Sequence, residues 1–156
     1  MAEIRATSHR VKAKVVHSRR PPPDPTFAFG FALDYKYRRR WAEQVLEGAD
    51  RQLEKPTTYT PQEYEDLIEG IITALNTCLP KRVYCALPDL PRIRRDLLPV
   101  EDGDDSYSRY VFALRDNSTS ERLRSPLTKE HIDAVRKELG LEDDQQPGWF
   151  PIVTND

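Results

Sequence analysis

Arginine is the residue whose placement in this sequence most invites chemistry. The stretch from Pro88 to Leu98, PDLPRIRRDLL, sets Arg92, Arg94 and Arg95 among leucines and prolines. Guanidinium groups clustered on a stiff loop suit a phosphate or a carboxylate. The acidic run from Glu101 to Asp105 just downstream offers them partners within the chain. A second cluster, YKYRRR, interleaves Tyr35 and Tyr37 with Lys36, Arg38, Arg39 and Arg40, as proteins that bind single-stranded nucleic acid do. Charge is unevenly spread. Residues 1–40 hold ten Lys/Arg against three acids, a balance of +7, which leaves −9 for the rest of a chain whose net charge is −2. Such an arm attracts nucleic acid or an acidic membrane, and equally the acidic remainder of its own chain. The pI of about 6.0 lies well below that of strongly basic nucleic-acid-binding domains.

The ingredients of catalysis are sparse. Of the three histidines, His9 and His17 lie in the basic arm, and His131 is the third residue of a helix expected at 128–139. A helix N-terminus disfavours the His131 cation, and a capping or packing role is the expectation. Cys78 falls on the apolar face of one expected helix and Cys85 within an expected strand, so both are read as buried and inert. The sequence contains no glycine-rich phosphate loop, nucleophile elbow or HExxH. Counting from Asp102, the acidic stretch at 101–105 places Ala113 where a calcium loop needs a bidentate Glu. Neither CxxC nor paired His is present for zinc. No catalytic residue, metal ligand or cofactor is assigned. If the protein is an enzyme, the groups at hand for its site are Arg92, Arg94, Arg95, Tyr84 and His131.

Three short motifs concern partners and modification. Arg19, Pro22 and Pro25 have RxxPxxP spacing, but Asp24 sits where groove ligands of that type carry an apolar residue. Asn117-Ser118-Thr119 matches a glycosylation sequon, and Ser125-Pro126 a phosphorylation dipeptide. Trp149 and Phe150, between Pro147 and Pro151, are either a docking motif or a segment folded back on its own domain. Folding back is expected, because exposed Trp-Phe is costly.

The elements that must position these groups are legible from apolar spacing. Thr60 to Leu79 is the clearest. Thr60 and Glu63 form a capping box, Pro61 stands at the first helical position, and Tyr59 and Tyr64 have the spacing of a staple. Leu67, Ile68, Ile71, Ile72, Leu75, Cys78 and Leu79 share one face, and Pro80 is expected to end the helix. A preceding helix runs from Asp34 to about Glu54, with Trp41, Val45, Ala49 and Leu53 four residues apart, and the two should pack as a hairpin. Phe27 to Leu33, FAFGFAL, alternates strictly, giving a strand with a bulky face and a smooth face for close approach. Arg82 to Leu87 and Tyr107 to Arg115 read as further strands, with 11–16 as a candidate edge strand. Residues 88–106 read as one long loop. The last helix, 128–139, is capped by Thr128, stapled by Leu127 and Ile132, and closed at Gly140 in a Schellman turn.

The expected fold is α+β: a helical hairpin and a C-terminal helix on a small, mostly antiparallel sheet of three to four strands. Residues 1–25 form a basic, proline-rich arm whose first ten residues are mobile, and 26–153 form one domain. Two cysteines, no apolar leader and no run of membrane-spanning length point to a cytoplasmic or nuclear protein. The functional expectation is a non-enzymatic binding or interaction protein. Its surfaces would be drawn from the 88–106 loop, Arg38 to Arg40, the basic arm, and Trp149 with Phe150. A partner protein is the leading ligand, and nucleic acid or an unrecognised small-enzyme activity are the alternatives.

Overall fold

A computed structural model of the chain describes residues 23–52, 58–101 and 109–154. The expected mobile tail, the 11–16 edge strand, most of the RxxPxxP motif and the acidic run beyond Glu101 fall outside them. The described elements follow in the order β1 (Phe27–Leu33), α1 (Tyr35–Arg51), α2 (Pro61–Ala86), β2 (Leu98–Pro99), β3 (Tyr110–Asp116), α3 (Ser120–Leu123), α4 (Lys129–Glu138) and β4 (Gly148–Pro151). The fold is α+β, with an antiparallel sheet in the order β2-β3-β1-β4.

The helices start and stop for local reasons. Asp34 caps α1 by accepting from the Tyr37 N–H. Thr60 and Glu63 complete their capping box at α2. Thr128 and His131 cap α4, and the Leu141 N–H donates to Arg136 while the Gly140 N–H donates to Lys137. With Gly140 at φ +66°, these two bonds are a Schellman turn.

Two expectations fail together at Pro80. α2 does not stop there but continues to Ala86, so 82–86 is helix and not strand, with Leu87 as the C-cap. A proline inside a helix leaves the carbonyl four residues earlier without its donor. Here the Leu97 N–H supplies that bond, donating to the Asn76 carbonyl at 2.8 Å. Pro80 itself is fully buried. A tertiary partner that no local reading contains thus offsets the usual cost. Both cysteines are corrected as well: Cys78, within the helix as expected, and Cys85, brought into it by the extension, are exposed on α2.

The long 88–106 connection is packed down. Leu90, Ile93, Leu97 and Val100 are buried, and Leu98–Pro99 pairs with β3. Segment 82–87 is thus replaced in the sheet by two short strands, β2 and β4. The sheet then curls until its ends meet. Val100 bridges Ile152, the Glu101 N–H donates to Pro151 and the Val153 N–H to Pro99. Closing a sheet removes unpaired edges. It also divides the core. Phe31, Leu33, Phe112 and Leu114 face the helices, where Ala42, Leu46, Ile68, Ile72 and Leu139 cover them. Ala28, Val111 and Ala113 face inward with Ile93, Val100 and Ile152, joined by Phe150. The pairing of β1 and β3 slips at Phe29/Gly30, and there a Cβ on Gly30 would stand 1.8 Å from the Phe112 carbonyl oxygen. The smooth face of FAFGFAL is what lets the two backbones approach.

Candidate functional site

The three arginines of the 88–98 stretch have three different situations. Leu90, Ile93 and Leu97 anchor the segment inward and turn the intervening cations out. Arg94 is a structural bridge. Its Nε donates to Asp116 Oδ2 at 2.8 Å and its Nη2 to the Pro23 carbonyl at 3.2 Å. Arg92 lies with its guanidinium 6.0 Å from the Tyr84 ring, and Arg92 and Arg95 are both exposed.

Asp116 is the hub. Its side chain is fully buried, and Oδ1 accepts from the Ser118 backbone N–H at 2.9 Å and from the Ser118 hydroxyl. Arg122 brings a second guanidinium to 3.7 Å from Oδ2, with its buried Nη1 making no hydrogen bond. Burial pushes the Asp116 carboxyl up, but the bonds from Ser118 and Arg94 outweigh it and hold the group below its ordinary value. Burial raises the Tyr84 hydroxyl, partly offset by the Ile93 and Arg94 backbone and by the charges of Arg92 and Arg122. Two arginines share one buried carboxylate, and Arg95 and Arg124 point to solvent. Residues 91–96 and 115–124 together hold six arginines against Asp96, Asp116 and Glu121, so this end of the molecule carries surplus positive charge.

Nothing in the sequence singled out Asp116, Asn117, Ser118 and Thr119 as a unit. Asn117 Oδ1 accepts from the Thr26 and Phe27 N–H groups at 2.9 and 3.0 Å, and its Nδ2 donates to Thr26 Oγ1. Thr119 caps α3. Each member of the apparent sequon therefore holds the start of β1 or the triad. The one available signal was a charged residue ending an apolar strand ahead of a run of small polar residues. Ser125 is buried, with its carbonyl accepting from Arg115 Nε at 3.0 Å.

The YKYRRR cluster is dispersed. Arg38 is buried, 4.4 Å from the centre of the Tyr110 ring. Arg39 grips Glu65 of α2 with two bonds of 2.9 and 2.8 Å and also pairs with Glu43 on its own helix. Arg40 stays exposed over the Tyr37 ring. A cleft of about 540 Å³ opens beside it, lined by Lys36, Arg40, Glu43, Glu142 and Gln145 among others. Its charges are mixed, so it favours no sign of ligand. His131 accepts from the Thr128 N–H through Nδ1; among the described residues its hydrogen bonds are the two of that capping box.

Trp149 and Phe150 fold back, as an added strand. Phe150 turns into the inner core with the Arg109 guanidinium 5.5 Å from its ring. Trp149 points the other way and packs on Phe29, ring centres 5.5 Å apart, while remaining 50% exposed.

Among the described residues, no group of three or more His, Cys, Asp or Glu could hold a metal ion, and no helix is long and apolar enough to cross a membrane. The chain matches no protein-family model, no curated protein and no solved structure. Its function must be argued from its own residues.

Proposed function

We propose that the protein is a non-enzymatic binding module that engages an anionic partner through the arginine face around Asp116. One observation carries this reading. The Arg94–Asp116–Arg122 triad spends a single buried carboxylate on two guanidinium groups and leaves Arg92, Arg95 and Arg124 exposed beside it. A buried ion pair of this kind is a poor source of stability but a good way to hold a surface rigid. Cations on a preorganised surface lose less entropy on meeting a carboxylate or phosphate. The Pro23 carbonyl held by Arg94 also ties the residues just before β1 to this face. The groups that an enzyme reading would use support it less well, because Tyr84 receives the Ile93 N–H and His131 closes a cap.

Retention on immobilised heparin tests the reading. The triple substitution R92A/R95A/R124A should elute at clearly lower salt than the parent protein. The double substitution K36A/R40A, at the mixed-charge cleft, should change elution far less. Equal elution of the triple variant and the parent would refute the proposal.

A further inference from the structure

The charges of α2 are gathered at its two ends. Its first nine residues hold Glu63, Glu65, Asp66 and Glu69 and no cation, and its last six hold Lys81 and Arg82 and no acid. No charged residue lies between Glu69 and Lys81. A surface helix ordinarily carries charge along its whole outer side. Here that side shows Leu67, Gly70, Ala74, Thr77, Cys78 and Lys81, all exposed and within about 100° of arc. Buried Ile68, Ile72, Leu75 and Leu79 lie on the other side. Gly70 adds an independent mark. Glycine weakens a helix interior relative to alanine, yet a Cβ at Gly70 would meet nothing within 4 Å, so no contact among the described residues calls for it. Gly48 has the same freedom, but it stands in the last turn of α1, where helices fray.

We infer that this face of α2 binds a second copy of the chain, with the two α2 helices antiparallel across a two-fold axis near Ala74. Charge complementarity selects that occupant. With the axis at Ala74, Asp66 of one copy comes level with Lys81 and Arg82 of the other, and symmetry repeats the pair at the far end. A parallel arrangement would set acids against acids, whereas the antiparallel one also opposes the two helix dipoles. Gly70 and Ala74 let the two backbones come close. Leu67, 39% exposed, comes level with Lys81 of the other copy, whose methylene stem can cover it. Half-buried Ile71 comes level with Thr77. One helix face makes a small interface, so the dimer should dissociate on dilution. The arginine face around Asp116 is built by other segments, and neither surface needs the other.

Sedimentation velocity of the full chain, from micromolar to millimolar concentration, tests the pairing. The parent should pass from monomer to dimer, and less readily at high salt. D66K and K81D/R82D should each stay monomeric where the parent is dimeric. An equimolar mixture of the two should recover the dimer, because each reversed end then meets its complement. A74R, at the axis, should be monomeric throughout. All four positions are exposed, so the variants should keep the parent's circular dichroism. Asp66 gives up a bond from Gln62 and Arg82 its place over the Trp41 ring; K81D alone serves if the double variant unfolds. Cys78, exposed in the single chain, should react with a thiol reagent more slowly as concentration rises through the dimer range. A parent that stays monomeric at millimolar concentration overturns the pairing. So does a dimer that survives A74R or both charge variants, which places the contact on another face, and so does a mixture that stays monomeric.

Discussion

Replacing Gly30 by alanine is the most demanding test of how β1 and β3 are joined. The added methyl would lie 1.8 Å from the Phe112 carbonyl oxygen, 2.8 Å from its carbon and 3.1 Å from the Ala113 Cα. Such contacts ordinarily sit at 3.4–4 Å, so the backbones would have to separate by more than 1 Å. All three atoms belong to backbone, and no side chain can swing aside. Overpacking a core usually costs about 1–3 kcal/mol. Here the displaced strands also carry Phe31, Leu33 and Phe112, each essentially fully buried, and a register error turns a whole strand to the wrong face. A loss above about 4 kcal/mol is expected, a large part of the roughly 5–15 kcal/mol that holds a domain. Urea unfolding followed by far-ultraviolet circular dichroism measures it. G30A should be unfolded in buffer or show a far lower midpoint. The control G48A, in α1 with nothing within 4 Å, should be neutral or stabilising. A G30A midpoint close to the parent's would show that the two strands are not joined in this register.

Other expectations are as direct. D116A should cost about 3–5 kcal/mol, because it strips Arg94 and the buried Nη1 of half-buried Arg122 of their counter-charge; thermal melting reads the loss. The Asp116 carboxyl is held below its ordinary value, so the stability it adds is present above pH about 4 and is lost as pH falls through its folded value. Melting temperature should accordingly fall less steeply with acid in D116N than in the parent. The Tyr37 hydroxyl, pushed up to about 12 by burial, donates to the Leu139 carbonyl. Y37F should lose about 1 kcal/mol at neutral pH and lose less than the parent as pH rises from about 10 towards 12, read by alkaline melts. Removing 147–156 takes away β4 and the closing bridge at Ile152, and should lower the melting temperature by several degrees. Cys78 and Cys85, exposed on α2, should both react with a thiol reagent in the native protein without denaturant.

The parts of the fold visible in the sequence are those governed by local spacing. Period-two alternation at Phe27 to Leu33, the capping boxes at Thr60 and Thr128, and the glycine stop at Gly140 each act within a few residues. The parts that escaped depend on distant partners. Pro80 reads as a stop because the reader of a sequence cannot see the Leu97 N–H waiting for the Asn76 carbonyl. The β-branched and aromatic run at 82–87 then passes for a strand, although packing keeps it helical. β2 and β4 are too short to show a period, and they exist because the curled sheet supplies their partners. The candidate surface was half legible. Arg92, Arg94 and Arg95 stand out by type, but what divides them is Asp116, twenty-two residues beyond Arg94, whose one local mark is that it ends an apolar strand ahead of small polar residues. Trp149 and Phe150 look like one unit in sequence, whereas the alternation of a strand sends Phe150 inward and Trp149 outward.

Anion binding by the face around Asp116 is the property to measure first. The slope of log affinity against log salt, measured with a single-stranded oligodeoxythymidylate, counts the phosphates that protein cations neutralise, at about 0.7 per contact. The parent should show a steep negative slope, and R92A/R95A/R124A a slope shallower by up to about two units, with Asp116 and its ion pairs left in place. A parent whose binding ignores salt, or a triple variant with the parent's slope, would contradict the assignment of this face.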